Sequence, residues 1–228
     1  MKKRSAFTLA EVLITLGIIG IVSEMTLPTL IGKINQVKTE AILKEDYAIL
    51  QQAIKLAEFQ DASVDSLVDS TEGIKVWFDM FLLPNIKTVA VCYNTKGCWT
   101  SGDSYNLKGS VAHANKKGIG IGGGVITIRL PNGSNLCIDG CSRNDMKNLF
   151  GIVSSTTSLG IYIDTNGDKL PNTVGKDIFV VGWKDGNLVP AGADVSMEEV
   201  NLNCSVTATG NNAGYYCMRK IMTGGWKK

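Results

Sequence analysis

The chain opens with MKKRSAFTLAEVLITLGIIGIVSEMTLPTLIG (residues 1–32), a basic start followed by an apolar run. Lys2, Lys3 and Arg4 precede the run, and Glu11 lies inside it. A carboxylate is costly at membrane depth unless a cation or a proton neutralises it. Because no small-x-small cleavage site follows the run, an ordinary cleaved signal peptide is disfavoured. The stretch therefore predicts a membrane-associated helix with an acid near its start.

The helical pattern continues to about residue 60, because helix-favouring residues dominate residues 33–60. The apolar residues that recur there at helical intervals, which we assign to the buried face, are Ile34, Val37, Ala41, Ala48, Ala53 and Leu56. Pro28 removes a backbone donor and Gly32 weakens the same segment, so we expect the helix to kink or loosen there. A membrane helix that ends near Pro28 is the alternative.

The rest of the chain predicts a small antiparallel sheet. Residues 61–70 are a polar linker, and residues 71–83 form a short helix closed by Pro84. Strand-like stretches at 124–130 and 134–138 flank Pro131-Asn132-Gly133, which is a hairpin signal. Further strands are expected at 159–163 and 177–183, with a turn at 184–187, and the tail over 201–228 is expected to be a loop.

Six cysteines follow the N-terminal segment: Cys92, Cys98, Cys137, Cys141, Cys204 and Cys217. An even number behind an apolar segment favours an oxidising compartment and up to three disulfides, with local pairing as the simplest arrangement. Free buried thiols and a metal site are the alternatives, although the cysteine spacings are not those of zinc sites. The predicted fold class is therefore α+β, with a long helix packed on a sheet and loops tied by disulfides.

Composition excludes several classes of function. The three basic residues at the N terminus account for the net charge, since the rest of the chain holds 20 basic and 21 acidic side chains. A broadly basic face for nucleic acid is therefore not expected. The glycines of residues 118–124 precede a strand instead of opening a helix, which disfavours a nucleotide loop. His113 is the single histidine and lacks a catalytic context, so we expect no enzyme.

The segment Ala6-Phe7-Thr8-Leu9-Ala10-Glu11 resembles the cleavage and methylation motif of type IV prepilins and type II secretion pseudopilins. The likeness lies in a basic leader, a small residue before Phe7, a Glu four residues later, and an apolar run. It implies a leader over 1–6, cleavage between Ala6 and Phe7 by a prepilin peptidase, and methylation of the new amine on Phe7. Ala6 stands where the family usually has glycine.

The same resemblance implies a role for Glu11 in assembly. Cleavage before Phe7 places an ammonium one helical turn from Glu11, within reach of a pair inside the chain. In the family, this Glu meets the terminal amine of a neighbouring subunit and sets the register. Pro28 and Gly32 match a segment that unwinds as subunits enter the filament. The alternative for Glu11 is a carboxylate that snorkels to the headgroups.

A second stretch with chemical character is Asp164-Thr165-Asn166-Gly167-Asp168, followed by Asp177. Oxygen side chains at alternate positions of a turn are how calcium loops gather ligands. Similar loops recur in pilin-like proteins, and some major pseudopilins bind calcium near the C terminus. Asp164, Asn166, Asp168 and Asp177 are therefore calcium candidates. The alternative is a turn held by Asx side chains that bond their own backbone.

These observations lead to the expectation of a structural subunit, major or minor, of a type IV pilus or a type II secretion pseudopilus. The implied partners are other pilin or pseudopilin subunits, the prepilin peptidase and an inner-membrane assembly platform. The implied location is the bacterial inner membrane, with the head outside the cytoplasm, and then a periplasmic or cell-surface filament. The alternative is a membrane-anchored binding or adhesion domain that does not polymerise.

Overall fold

A computed structural model describes residues 8–60, 71–112, 115–121, 124–155 and 159–226. The predicted linker over 61–70 and His113 lie outside these residues. The chain divides into two compact units, Met1–Lys38 and Thr39–Lys228. Helix α1, Leu9–Phe59, contributes to both units.

In the first unit, α1 remains helical through Pro28 and Gly32. Apolar side chains cover all sides of this segment and are largely exposed, as Leu13, Ile14 and Ile18 illustrate. A helix that is apolar all round requires an apolar environment. Within the described residues, α1 is the one helix long enough and apolar enough to cross a membrane.

In the second unit, α1 buries a face different from the predicted one. The buried residues are Leu43, Asp46, Leu50, Ala53, Ile54 and Ala57. Apart from the adjacent Ala53 and Ile54, they follow each other at intervals of three and four residues, which places them on one side of a helix. Of the predicted face only Ala53 is buried, while Ile34, Val37 and Leu56 are more than half exposed. The error arose because Asp46, an acid, interrupts the apolar series on the true face.

Within the part that the structure describes, the head consists of the short helix, the strands and three further helices. Helix α2, Thr71–Trp77, continues as a π-helical turn over Phe78–Leu82 and a 3-10 turn over Leu83–Asn85. The strands of the described residues are β1 Ala90–Tyr93, β2 Asn115–Lys116, β3 Gly120–Ile121, β4 Ile126–Arg129, β5 Asn135–Gly140, β6 Leu159–Asp164, β7 Ile178–Lys184 and β8 Asn187–Pro190. The remaining helices are α3 Arg143–Asn148, α4 Met197–Asn203 and α5 Cys217–Gly224.

Six strands form an antiparallel sheet in the order β1-β4-β5-β6-β7-β8, which confirms the predicted α+β fold class. The β4–β5 pair closes over Pro131-Asn132-Gly133, as the hairpin signal indicated. The β7–β8 pair closes over Asp185 and Gly186, whose φ angles of 47° and 84° are those of a tight hairpin turn. Strands β2 and β3 form a separate two-stranded ribbon.

Apolar side chains cover both faces of the sheet. On one face, Leu43 and Leu50 of α1 belong to the same buried cluster as Leu136 and Ile163. On the other face, a second cluster joins side chains of the sheet to those of the C-terminal segment: Cys137, Tyr162, Val180, Phe150, Tyr215 and Tyr216. Because both faces are covered, every residue of β6 is buried. Strand β6 therefore lacks the alternation of polar and apolar residues typical of a strand with one wet face.

The tail over 201–228 is not the predicted loop, since the end of α4 extends into it and α5 lies within it. Ser196 caps α4 by accepting a hydrogen bond from the backbone N–H of Glu199. The spacing Ser-x-x-Glu is a helix-start signal, and it could have identified this helix from sequence.

Two of the three local cysteine pairs are disulfides, Cys92–Cys98 and Cys204–Cys217. Cys137 and Cys141 are buried free thiols, which corrects the local pairing expected for them. Cys137 lies in β5 and Cys141 directly follows it, so four residues of extended chain separate them by about 13 Å. A disulfide requires Cα atoms within about 7 Å of each other. Buried thiols, the alternative considered from sequence, describe this pair.

Candidate processing and assembly site

The described part of the N-terminal site begins at Thr8, so the predicted cleavage and methylation residues Ala6 and Phe7 lie outside it. The backbone N–H and the hydroxyl of Thr8 both donate to Oε2 of Glu11, at 2.8 and 2.9 Å. The backbone N–H of Glu11 lies 3.3 Å from the Thr8 hydroxyl oxygen, which accepts from it. This reciprocal arrangement is a capping box, in which an N-cap threonine and a glutamate three residues later satisfy the first amides of a helix.

The capping box gives Glu11 a local partner that the sequence reasoning missed. The Thr-x-x-Glu spacing at Thr8 and Glu11 could have revealed it. The acid lies at the first turn of α1, where the helix dipole favours negative charge. Only Oε2 takes part in these bonds, so within the described residues Oε1 has no hydrogen-bond partner. The Glu11 carboxylate is thus positioned by its own helix and keeps one oxygen for a further donor.

The calcium candidates lie at the end of β6 and in the loop between β6 and β7, and hydrogen bonds inside the loop use one oxygen of Asp164 and both oxygens of Asp177. Asp164 Oδ1 accepts from the backbone N–H groups of Asn166 and Gly167, at 3.2 and 3.1 Å. Asp177 accepts from the backbone N–H groups of Thr173 and Asn172, at 2.6 and 2.8 Å. The Asp164 contacts are those of an Asx turn, whereas Asp177 accepts from residues that precede it in the loop.

Asp168 does not join the other candidates, because its Oδ2 accepts from Arg129 at 2.6 Å. Asp164 Oδ2 and Asn166 Oδ1 are buried and lack a hydrogen-bond partner. Burial raises the pKa of Asp164 well above its ordinary value, and the nearby Asp177 raises it further. The part of the chain that the structure describes holds no cluster of three or more His, Cys, Asp or Glu residues suited to a metal. The loop fits a calcium ion only in part, since among the described candidates only Asp164 Oδ2 and Asn166 Oδ1 are both buried and without a hydrogen-bond partner.

Comparison with known proteins identifies the N-terminal segment. Residues 1–23 match the family model of the prokaryotic N-terminal methylation motif. No curated protein and no solved structure matches the chain. The proteins in which this motif occurs are structural rather than catalytic. They are processed in the manner of type IV pilins and pseudopilins. The methylation motif, the apolar N-terminal helix and the disulfide-tied α+β head together support a type IV pilin-like or pseudopilin-like protein.

Proposed function

We propose that the chain is a structural subunit of a type IV pilus or a type II secretion pseudopilus. The observation that carries this proposal is a methylation motif over residues 1–23 that leads directly into the apolar segment of α1. A prepilin peptidase cuts between Ala6 and Phe7 and methylates the Phe7 amine. The processed subunit then resides in the inner membrane with its head outside the cytoplasm. An assembly platform moves it into the filament.

On assembly, the apolar half of α1 packs against neighbouring subunits. Leu13, Ile14 and Ile18 expose about 60% of their surface in the single chain. In lipid such surface has no strong preference for protein, so close packing and polar contacts must direct association. Glu11 is the acid in this surface, and we assign it the contact that sets the register with the terminal amine of a neighbour.

The capping box supports this role of Glu11. Because Thr8 holds Oε2, the carboxylate has a fixed direction before a second subunit arrives. An ammonium from a neighbour then removes the cost of a buried charge in an apolar bundle. Pro28 and Gly32 are the segment we expect to unwind on assembly, since Pro28 has no N–H to donate to the turn before it.

The head carries the contacts that distinguish this subunit from others. A calcium ion in the loop between β6 and β7 is part of this proposal, supported by the free oxygen of Asp164 and the buried oxygen of Asn166. If calcium binds, Asp164 supplies a carboxylate oxygen and Asn166 an amide oxygen, the ligand types that calcium prefers.

The test is filament assembly in a bacterium that has a prepilin peptidase and a pilus or pseudopilus platform. Filaments are sheared from the cells, quantified by immunoblot and inspected by electron microscopy. We expect Glu11→Ala and Glu11→Gln to lose filaments, while the cell membranes retain the subunit.

Glu24→Ala is the matched control, because Glu24 is an exposed acid of the same helix. This variant should assemble. Equal assembly of the Glu11 variants and the parent would contradict the register role. A parent chain that forms no filaments, although it is cleaved, would favour the membrane-anchored binding domain instead.

A further inference from the structure

The buried face of α1 contains one acid, Asp46, which lies between Leu43 and Leu50 and is fully buried. The adjacent Tyr47 donates its hydroxyl to the backbone carbonyl of Leu188 in β8, at 2.7 Å. Asp46 itself reaches the opposite part of the sheet, the turn between β4 and β5. Two consecutive residues of α1 therefore make polar contacts with separate parts of the head, a strand and a turn.

The contact of Asp46 is with Asn132, at the tip of the β4–β5 turn. Asn132 Nδ2 donates to Asp46 Oδ1 at 2.8 Å and, at 3.4 Å, to Oε2 of the neighbouring Glu45. Asn132 Oδ1 accepts from the backbone N–H and the hydroxyl of Ser134, at 3.1 and 2.8 Å. Because Ser134 fixes the oxygen side of the amide, the nitrogen side must face the helix. We call Asp46, Asn132 and Ser134 the clamp.

Of the two carboxylate oxygens of Asp46, only Oδ1 has a hydrogen-bond partner in the clamp. Asp46 Oδ2 is buried and has no hydrogen-bond partner. Among the described residues, Glu45 is the one charged group that acts on Asp46, and the hairpin presents the neutral side chains of Asn132 and Ser134. A buried carboxylate without a cation is unfavourable, whereas the neutral acid has a smaller desolvation cost. The clamp therefore suits a protonated Asp46 better than an ionised one.

We propose that the contact between α1 and the β4–β5 hairpin through the clamp depends on the protonation of Asp46. The clamp is closed when Asp46 is protonated, and its open state becomes more populated when Asp46 ionises. Burial is the largest influence on this acid and raises its pKa from 3.8 to about 6, with Glu45 adding to the increase. Asn132 and Ser134 act in the opposite direction by hydrogen bonding.

The sign of the effect follows from these values. In the unfolded chain Asp46 loses its proton near pH 4, and in the folded chain it keeps the proton until about pH 6. The stabilisation is therefore fully present below pH 4 and is lost as the pH rises to 6. Two pH units correspond to a change of about 100-fold in the equilibrium between the closed and open clamp.

The test is hydrogen exchange of the full-length protein in detergent micelles between pH 4 and 8, corrected for the intrinsic rate. The reporter is the backbone amide of Ser134, which belongs to the clamp. We expect its protection to fall by up to about 100-fold as the pH rises in the parent protein. The fall should be much smaller in Asp46→Asn, which keeps a hydrogen-bond acceptor but does not titrate.

Asp139→Asn is the matched control, because Asp139 is a buried acid of β5 outside the clamp. This variant should keep the fall in protection at Ser134. The same pH dependence in the parent and in Asp46→Asn would overturn the proposal. A direct titration of the Asp46 carboxyl by carbon NMR is independent of any variant: a midpoint near 6 supports the clamp, and a midpoint near 4 overturns it.

Discussion

Removal of the Cys204–Cys217 disulfide should destabilise the head more than removal of the Cys92–Cys98 disulfide. The bond joins the end of α4 to the start of α5 and spans 13 positions of the chain. Tyr215 and Tyr216 lie inside the enclosed loop and are buried in the cluster on the face of the sheet opposite α1. Cys217 is itself buried in the cluster that contains α1 residues. The loop therefore links the two cores.

The magnitude follows from the length of the enclosed loop. A cross-link over 13 positions removes loop entropy from the unfolded chain worth about 3 kcal/mol at 25 °C. The Cys92–Cys98 disulfide spans 6 positions and is worth about 2 kcal/mol by the same relation. For a unit of this size, a loss of 3 kcal/mol lowers the melting temperature by about 6–12 °C.

The assay is urea and thermal unfolding of the full chain in micelles, followed by the fluorescence of buried tryptophans such as Trp77 and Trp183. The double variant Cys204→Ala/Cys217→Ala is compared with Cys92→Ala/Cys98→Ala. We expect the first to lose more free energy of unfolding, because its loop is longer and Cys217 also fills core volume. A loss below about 1 kcal/mol for the first, or a larger loss for the second, would refute the reasoning.

Three further predictions concern buried groups of the head. Thiol titration without reductant should find no reactive thiol in the native protein and two in denaturant, since burial raises the pKa of Cys137 and Cys141; no thiol in denaturant would indicate a third disulfide. Burial raises the pKa of Asp139 to about 7, so ionisation of this acid reduces the free energy of unfolding as the pH rises from 4 to 7. Asp139→Asn should make the free energy of unfolding less dependent on pH in this range, and an unchanged pH dependence would contradict the prediction. Calcium should raise the melting temperature of the parent but not of Asp164→Ala, and a transition unaffected by chelator would end the calcium proposal.

The local signals of the sequence were the most informative about the fold. Pro131-Asn132-Gly133 predicted the β4–β5 hairpin because a tight turn depends on the residues within it. The position of Glu11 in an apolar run predicted a membrane-associated helix with an acid near its start, and this prediction also depended only on neighbouring residues. Neither prediction depended on distant parts of the chain.

Features that depend on distant contacts were missed. The buried face of α1 was misassigned because Asp46 is polar, and its burial is compensated by Asn132, 86 positions away. Strand β1 was not predicted, since its pairing with β4 depends on a partner more than 30 residues further along the chain. The free thiols also required the strand geometry, because spacing alone did not distinguish Cys137 and Cys141 from the two disulfide pairs.

The N terminus of the mature protein tests the central claim most directly. Mass spectrometry of the protein purified from native membranes would identify its first residue and any methyl group. The account predicts a chain that begins at Phe7 with a methylated amine, because the methylation motif covers residues 1–23. A mature chain that still begins at Met1 would contradict processing, and the proposed assembly through Glu11 with it.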